Sequence, residues 1–201
     1  MSALIGVAGL VTIAAITPGP NNLIVLRTAA RAGLRGAPPV IAGVVLGGLA
    51  VLAIGWAASA AAFSAEPRLR LVAGAAGCLY LAWLGVGLLR HAGRGAGSPG
   101  GARSEPAGLP AASTLGLFAF QFLNPKSWVM VMTAIGAWPD ATPGWPLAIV
   151  FTAIPTLCLG LWATAGAALA RWLALPQIAA RVDRAMGVLL IATAITLVDL
   201  P

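Results

Sequence analysis

The sequence predicts an all-α polytopic membrane protein, and three observations carry that prediction. Of its 201 residues, 60% are hydrophobic and only 8% are charged, whereas a soluble domain has about 25% charged residues. Apolar runs recur along the chain at close to the ~20 residues that a membrane helix needs. The arginines fall between these runs rather than on one patch, so the formal net charge of +7 does not indicate nucleic-acid binding.

Six apolar runs are predicted to span the membrane. They are Leu4 to Leu26, Pro38 to Ala62, Leu69 to Leu89, Ala111 to Ala137, Trp145 to Leu169 and Ala185 to Val198. The last run is short, and it would lengthen if it began near a snorkelling Arg181. The stretch 91–110 is rich in Gly, Ser, Pro and Arg, which predicts a flexible cytoplasmic linker. It divides the chain into two three-span halves, residues 1–90 and 111–201.

The arginines also predict an orientation in the membrane. With six spans, the loops after spans one, three and five share one side and hold most of the arginines. These are Arg27, Arg31, Arg35, Arg90, Arg94, Arg103, Arg171, Arg181 and Arg184. The other side holds Arg68 and Arg70, and so large a bias makes the arginine-rich side cytoplasmic. Both termini are therefore expected to face outward, and the start of the chain has no basic segment typical of a cleaved signal peptide.

Two of the predicted spans contain residues that break a helix. The first break comprises Thr17, Pro18, Gly19, Pro20, Asn21 and Asn22, and the second comprises Asn124, Pro125 and Lys126. A proline inside a helix costs about 3 kcal/mol or more because it lacks an N–H and its ring clashes with the preceding turn. In a bilayer such breaks are tolerated only where they are buried in protein or line a wet cavity.

The two breaks occupy corresponding positions, because each lies in the first span of its half. Three is an odd number of spans, so two halves with the same fold must be inverted relative to each other. Paired interrupted segments of this kind are the best sequence indication of a transporter site near the bilayer midplane. We therefore expect two inverted three-helix repeats with broken first helices, which rock around that site in alternating access.

The motifs around these breaks resemble those of the LysE/RhtB family of amino-acid exporters. The resemblance covers the first break, Arg35 and Gly36, Gly43 and Gly47, the stretch 77–85, and the stretch 118–126 that contains the second break. It implies an exporter of amino acids or related small metabolites in the bacterial inner membrane, driven by the membrane gradient without a nucleotide or other cofactor. Some family members carry an acidic residue where this chain has Gly48. Its absence favours a neutral amino acid as substrate and leaves proton coupling without an evident buried carboxylate.

Lys126 is the only lysine in the chain, and it lies deep in the fourth predicted span. A charge at that depth costs about 3 kcal/mol on insertion scales and usually faces the protein interior. We expect its ammonium group to pair with the substrate carboxylate, or to alternate between the substrate and a carbonyl freed at a break. The alternative is that it snorkels outward or bonds such carbonyls permanently.

The polar side chains beside the breaks have two interpretations each. Asn21, Asn22 and Asn124 are predicted to cap half-helices, to contact substrate, or to do both. Gln121 is predicted to bind the substrate ammonium or to form an interhelical hydrogen bond. Amides at the exposed N-termini of the half-helices would attract a carboxylate.

Other features carry alternative functions or structural roles. Gly43 and Gly47 form a small-xxx-small pair, which predicts close helix packing, and such faces could also serve a homodimer. Cys78 and Cys158 leave open a membrane thiol-redox carrier, and the substrate could be a solute other than an amino acid. No Ser/His/Asp set of an enzyme and no cluster of metal ligands falls in the spans.

Overall fold

The chain is all-helical in the part that the computed structural model describes, residues 2–59, 79, 82–90, 92, 112–138 and 143–198. The helices there are α1 (Ser2–Ile16), α2 (Pro20–Ala32), α3 (Ala37–Ser59), α4 (82–90), α5 (Thr114–Leu123), α6 (Pro125–Gly136), α7 (Trp145–Ala168), α8 (Ala170–Leu173) and α9 (Pro176–Val198). A 3-10 turn, Leu34–Gly36, joins α2 to α3. The all-α prediction is therefore confirmed for these residues.

Both predicted breaks interrupt their helices. α1 ends at Ile16, α2 begins with Pro20, and the two are bent by 55°. In the second break α5 ends at Leu123 and α6 begins with Pro125. Proline suits the first position of a helix, because its missing N–H would have no intrahelical acceptor there. The prolines thus end one half-helix and start the next.

Two described helices are long and apolar enough to cross a membrane alone, and the bent pair α1–α2 qualifies as a third span. The two are α7 and the segment Leu34–Ala58, which includes most of α3. α5 is apolar but too short to span by itself. These helices are consistent with a membrane protein. The number of six spans and the inverted arrangement of the two halves stay predictions.

The helix that contains the predicted last span, Ala185 to Val198, begins earlier, at Pro176. Its first turns contain Arg181, Asp183 and Arg184. These charged residues lower the hydropathy there, so hydropathy alone does not indicate this part of the helix. The two arginines are exposed, whereas Asp183 is buried at 1% exposure. α9 therefore contains a buried carboxylate, which lies just before the predicted span Ala185 to Val198.

Some predictions fall outside the described residues. They concern Cys78, most of the predicted third span before residue 82, and the linker 91–110 apart from Ala92. The division of the chain into 1–90 and 111–201 stays a prediction.

Two apolar cores flank the breaks. One joins α1, α3, α6 and α7, for example through Val7, Val51, Val131 and Phe151. The other joins α2, α3, α5 and α7, through the residues Val25, Val40, Leu117 and Leu159. Because α3 and α7 contribute to both cores at different heights, the breaks between the half-helices lie between the two cores.

Gly43 and Gly47 lie where α3 contacts α5. A Cβ added to Gly43 would overlap the carbonyl oxygen of Thr114, and one added to Gly47 would come within 2.6 Å of the Phe118 carbonyl oxygen. Backbones approach this closely only where no side chain intervenes. Since α5 covers both glycines, they do not offer this face to a second copy of the chain.

Candidate functional site

The two breaks contact each other through Lys126. Its Nζ donates a hydrogen bond of 2.8 Å to the carbonyl oxygen of Thr17, 109 residues earlier in the chain. The same Nζ would lie 3.5 Å from a Cβ added at Gly19, so the ammonium group sits at the N-terminus of α2. Lys126 is itself the second residue of α6. The Lys126 ammonium group therefore lies beside the N-termini of both half-helices, which carry partial positive charge.

Backbone carbonyls that the first break frees are bonded by side chains from elsewhere. Asn22 Nδ2 donates to the Ala15 carbonyl at 2.9 Å, and Trp162 Nε1 of α7 donates to the Ile16 carbonyl at 3.3 Å. Lys126 serves Thr17 in the same way. In a continuous helix these three carbonyls would face positions 19, 20 and 21, but the helix is broken there and Pro20 has no N–H to donate. These three carbonyls therefore have hydrogen-bond donors from the protein and need no water, as a membrane interior requires.

The second break is organised by Asn124. Its Oδ1 accepts a hydrogen bond of 3.1 Å from the Lys126 amide, so the side chain caps α6. That amide is drawn away from the Phe122 carbonyl, which accepts from Trp128 Nε1 at 2.9 Å instead. Helix capping thus describes Asn124. No side chain caps the start of α2, whereas Asn22 bonds the Ala15 carbonyl in the last turn of α1.

Gln121 links the two halves of the site through a reciprocal amide pair. Its Nε2 donates to Asn21 Oδ1 and its Oε1 accepts from Asn21 Nδ2, both at 3.1 Å. Nε2 also donates to the Leu117 carbonyl at 3.0 Å, and Oε1 accepts from Ser127 Oγ at 2.8 Å. Because all four hydrogen-bonding positions of the amide are used, Gln121 is an interhelical link in this state.

We predict that the contributions of Asn21 and Gln121 to the free energy of unfolding are coupled. Gln121→Leu would leave the Asn21 amide and the Ser127 hydroxyl without partners, at a cost of about 1–3 kcal/mol. The double variant Asn21→Leu, Gln121→Leu would lose less than the sum of the single losses, because neither amide is then left unpaired. Thermal unfolding in detergent measures the three variants, with Thr164→Val as a control at an exposed hydroxyl. Strict additivity would contradict the pairing.

A cavity of about 60 Å³ lies where the breaks meet. About 10–15 Å³ of such volume holds one water, so the cavity has room for about four waters or a small polar group. One wall is polar, formed by Asn21, Gln121, Asn124, Lys126 and Ser127. The rest is apolar and is formed by Ala14, Ala15, Val44, Val45, Gly48, Met130, Phe151, Pro155 and Leu159. Such a wall, largely apolar with a few convergent polar groups, is typical of a small-molecule site.

The predicted site residues divide between the cavity wall and its support. Of those residues, Asn21, Gln121, Asn124 and Lys126 line the cavity. The others shape the breaks behind it: Thr17, Pro18, Gly19, Pro20, Asn22 and Pro125. Thr17 contributes its carbonyl, since its hydroxyl donates back to the Ile13 carbonyl.

The apolar wall was not predicted. Pro155 inside α7 was a usable signal, because it lacks the N–H that would bond the carbonyl of Phe151, and both residues line the cavity. Gly48 stands where some family members carry an acidic residue. A Cβ added to Gly48 would meet nothing within 4 Å. Cys158 is a buried thiol that is not among the residues lining the cavity.

The charges of the cavity wall are one-sided. Lys126 supplies a positive group, and no acidic residue is among the described residues that line the cavity. Groups of His, Cys, Asp or Glu that could hold a metal ion are also absent from the described part of the chain. Apolar helices that meet at two broken segments around a cavity with one polar wall are typical of a membrane translocator.

Comparison with known proteins identifies the kind of translocator. Residues 12–199 match the family of LysE type translocators. The chain is 30% identical over 163 residues to a cysteine/O-acetylserine efflux protein of Klebsiella pneumoniae, which covers 77% of this chain and 76% of that protein. It is 28% identical over 165 residues to an uncharacterized membrane protein of Pseudomonas aeruginosa, covering 78% and 76%.

A third relative matches over a shorter segment. A leucine efflux protein of an Enterobacter species is 35% identical over 74 residues, 37% of this chain and 35% of the relative. No solved structure matches. The chain belongs to the LysE type translocator family, and the resemblance drawn from its motifs is confirmed.

Proposed function

We propose that the protein exports small neutral amino acids across the bacterial inner membrane, and that the cavity between the two breaks binds them. The observation that carries this proposal is the pairing of Lys126 with a polar amide wall, opposite an apolar wall without a carboxylate. The efflux proteins of cysteine or O-acetylserine and of leucine among the relatives support an amino acid as substrate.

The carboxylate end of the substrate would bind at Lys126. In the present state its ammonium group bonds the Thr17 carbonyl, a neutral acceptor. A carboxylate is a stronger acceptor for an ammonium group, so it competes for the same donor. The nearby N-termini of α2 and α6 also favour a negative group at this point. Substrate binding would therefore release Thr17 and loosen the link between the breaks.

The ammonium end of the substrate needs acceptors on the same wall. Pro18 has no N–H to donate to the Ala14 carbonyl, which belongs to a residue of the cavity wall. Asn21 Oδ1 accepts one hydrogen bond from Gln121 and has a second lone pair. These two oxygens are neutral, and they bind the ammonium group of the substrate. A substrate with a second cationic group would also need a full negative charge, which these oxygens do not supply.

Reciprocal packing supports the inverted repeat. α3 packs against the second broken pair, α5 and α6, while α7 packs against the first, α1 and α2. α4 and α9 meet through Gly85 and Gly187, each of which would come within 2.8 Å of the other's carbonyl oxygen if it carried a Cβ. Each helix of one half thus has a counterpart in the other half. In the proposed mechanism, the halves rock about the breaks and expose the cavity to each side in turn.

The experiment that tests the function uses the purified protein in liposomes. Vesicles loaded with unlabelled amino acid are offered radiolabelled leucine, alanine, cysteine under reductant, lysine or glutamate, and exchange is followed over time. We expect exchange of the neutral amino acids and little of lysine or glutamate. Exchange of lysine at the rate of leucine would contradict a neutral substrate. Failure to exchange any amino acid, in protein that is folded, would overturn the amino-acid assignment.

We predict that Gly48→Leu abolishes exchange without unfolding the protein. The new side chain would enter the cavity, because a Cβ at Gly48 meets no atom within 4 Å and this residue lines the wall. A leucine side chain there would displace the waters or the polar group that the cavity can hold. Gly9→Leu is the matched control, since Gly9 is exposed on α1 and also has open space at its Cβ. Normal exchange by the Gly48 variant would show that substrate does not pass through this cavity.

A further inference from the structure

Asp183 is the one acidic residue in the part of the chain that the structure describes, and it is buried. It lies in α9 with 1% of its side chain exposed, and its Oδ1 accepts a charged hydrogen bond from Arg27 Nη2 of α2. These residues are 156 positions apart and belong to different predicted halves. The pair therefore ties the first broken helix to the last helix of the chain.

The surroundings of this ion pair are apolar. Leu23 of α2, Leu84 and Leu88 of α4, and Met186 and Leu190 of α9 form one buried cluster next to it along these helices. The other charged side chains on α2, α4, α8 and α9 in the described part are exposed arginines, namely Arg31, Arg90, Arg171, Arg181 and Arg184. α7 contributes Trp162 to the edge of the cluster and carries no charged residue.

Asp183 has an oxygen that the fold does not satisfy. Its Oδ2 is buried and has no hydrogen-bond partner among the described residues. A buried carboxylate normally uses all its acceptor positions, and an exception calls for an explanation. Burying a charge costs far more than burying a neutral carboxylic acid. The ionised form therefore depends on Arg27, whereas the protonated form does not.

We propose that Asp183 binds the proton exchanged for substrate, and that its contact with Arg27 is the cytoplasmic gate that this proton opens. The proposal rests on the proposed export function and on the predicted orientation, which places Arg27 near the cytoplasmic side. Hydronium gives a proton to Oδ2: one O–H bond of hydronium breaks, one O–H bond forms at Oδ2 and a water molecule leaves, while Arg27 keeps its charge throughout. The attraction between α2 and α9 is then lost, and the cytoplasmic side opens.

Release of the proton to the cytoplasm reverses the step. The O–H bond at Oδ2 breaks, the carboxylate recovers its charge, and Arg27 closes α2 onto α9 again. The protonated state thus favours opening to the cytoplasm, and the ionised state favours opening to the outside. Entry of a proton with the gradient is thereby coupled to movement of substrate outward.

The transport test compares exchange with gradient-driven accumulation in liposomes, using radiolabelled leucine. The double variant Arg27→Gln, Asp183→Asn leaves no unpaired charge, so it avoids the large cost of removing one partner from a buried pair. We expect it to retain exchange at equal pH on both sides and to lose accumulation driven by a pH gradient. Accumulation equal to that of the wild type would overturn the proposal and leave the pair a structural contact.

A second measurement needs no substrate and keeps the two proposals distinguishable. In protein with Cys78→Ser and Cys158→Ser, spin labels at Ala32→Cys and Ala185→Cys report the separation of α2 and α9 from exposed positions. We expect this separation to increase as the pH is lowered in the otherwise wild-type protein, and not to depend on pH in the Arg27→Gln, Asp183→Asn background. A separation that does not change with pH overturns the gate. If the wild type exchanges no amino acid but the labels still separate, export fails and the proton-controlled contact stands.

Discussion

Lys126→Met is expected to abolish amino-acid exchange while the protein still inserts and folds. The methionine side chain has a similar length but neither a charge nor a donor, so it binds neither the substrate carboxylate nor the Thr17 carbonyl. A hydrogen bond to a charged group contributes about 1.5–3 kcal/mol. Since about 1.4 kcal/mol is a factor of ten, loss of the carboxylate contact alone predicts at least about tenfold weaker binding. Exchange in liposomes measures the effect, with the amount of folded protein determined on the same preparation.

Lys126→Gln separates the two roles that the lysine could have. Glutamine keeps an N–H donor for the Thr17 carbonyl but carries no charge, whereas Lys126→Arg keeps the charge. If the charge binds a carboxylate, glutamine fails like methionine and arginine retains part of the exchange. Wild-type exchange by the glutamine variant would mean that Lys126 only holds the two breaks together.

The two breaks and the lysine could be predicted from the sequence because each depends on local chemistry. Pro18, Pro20 and Pro125 end helices wherever they stand in an apolar run, since each lacks an N–H. A lysine deep in a span must find a polar partner inside the protein, because hydration is absent there. Both properties hold whatever the partner is. The Thr17 carbonyl, 109 residues away, became identifiable only when the fold placed the two breaks together.

The apolar wall and the buried ion pair could not be predicted for a different reason. Phe151 and Leu159 resemble the other large residues of an apolar helix, and only the bend and packing of α1 and α2 leave space beside them. Asp183 stands between charged neighbours in the sequence, which is typical of a loop. Its burial follows from Arg27 on another helix, so no periodicity within α9 alone reveals it.

The breaks also show how one residue type serves two requirements. Trp162 and Trp128 each donate an indole N–H to a carbonyl next to a break, the first at Ile16 and the second at Phe122. An indole fills apolar space and offers one donor, so it satisfies a carbonyl without bringing an acceptor that needs water. In the structure these two stabilise the opened backbone around the cavity.

Gly166→Ala is expected to be strongly destabilising, because a single methyl group has no room there. A Cβ at Gly166 of α7 would overlap the carbonyl oxygen of Leu26 in α2, and backbone on both sides leaves no flexible side chain to move aside. Overpacking of this kind costs about 1–3 kcal/mol, and separating the two backbones also disturbs the first break. Thermal unfolding in detergent, followed by size exclusion, measures the loss.

Gly160→Ala on the same helix is the matched control. A Cβ there meets nothing within 4 Å, so the only expected change is a gain of up to about 1 kcal/mol from the better helix propensity of alanine. The two variants contain the same substitution in the same helix, and they differ in what faces the new methyl group. A Gly166 variant as stable as the Gly160 variant would show that α7 does not contact the backbone of α2 in the membrane. The packing of α7 against the first broken pair, which is one of the two reciprocal contacts that support the inverted repeat, would then be in doubt.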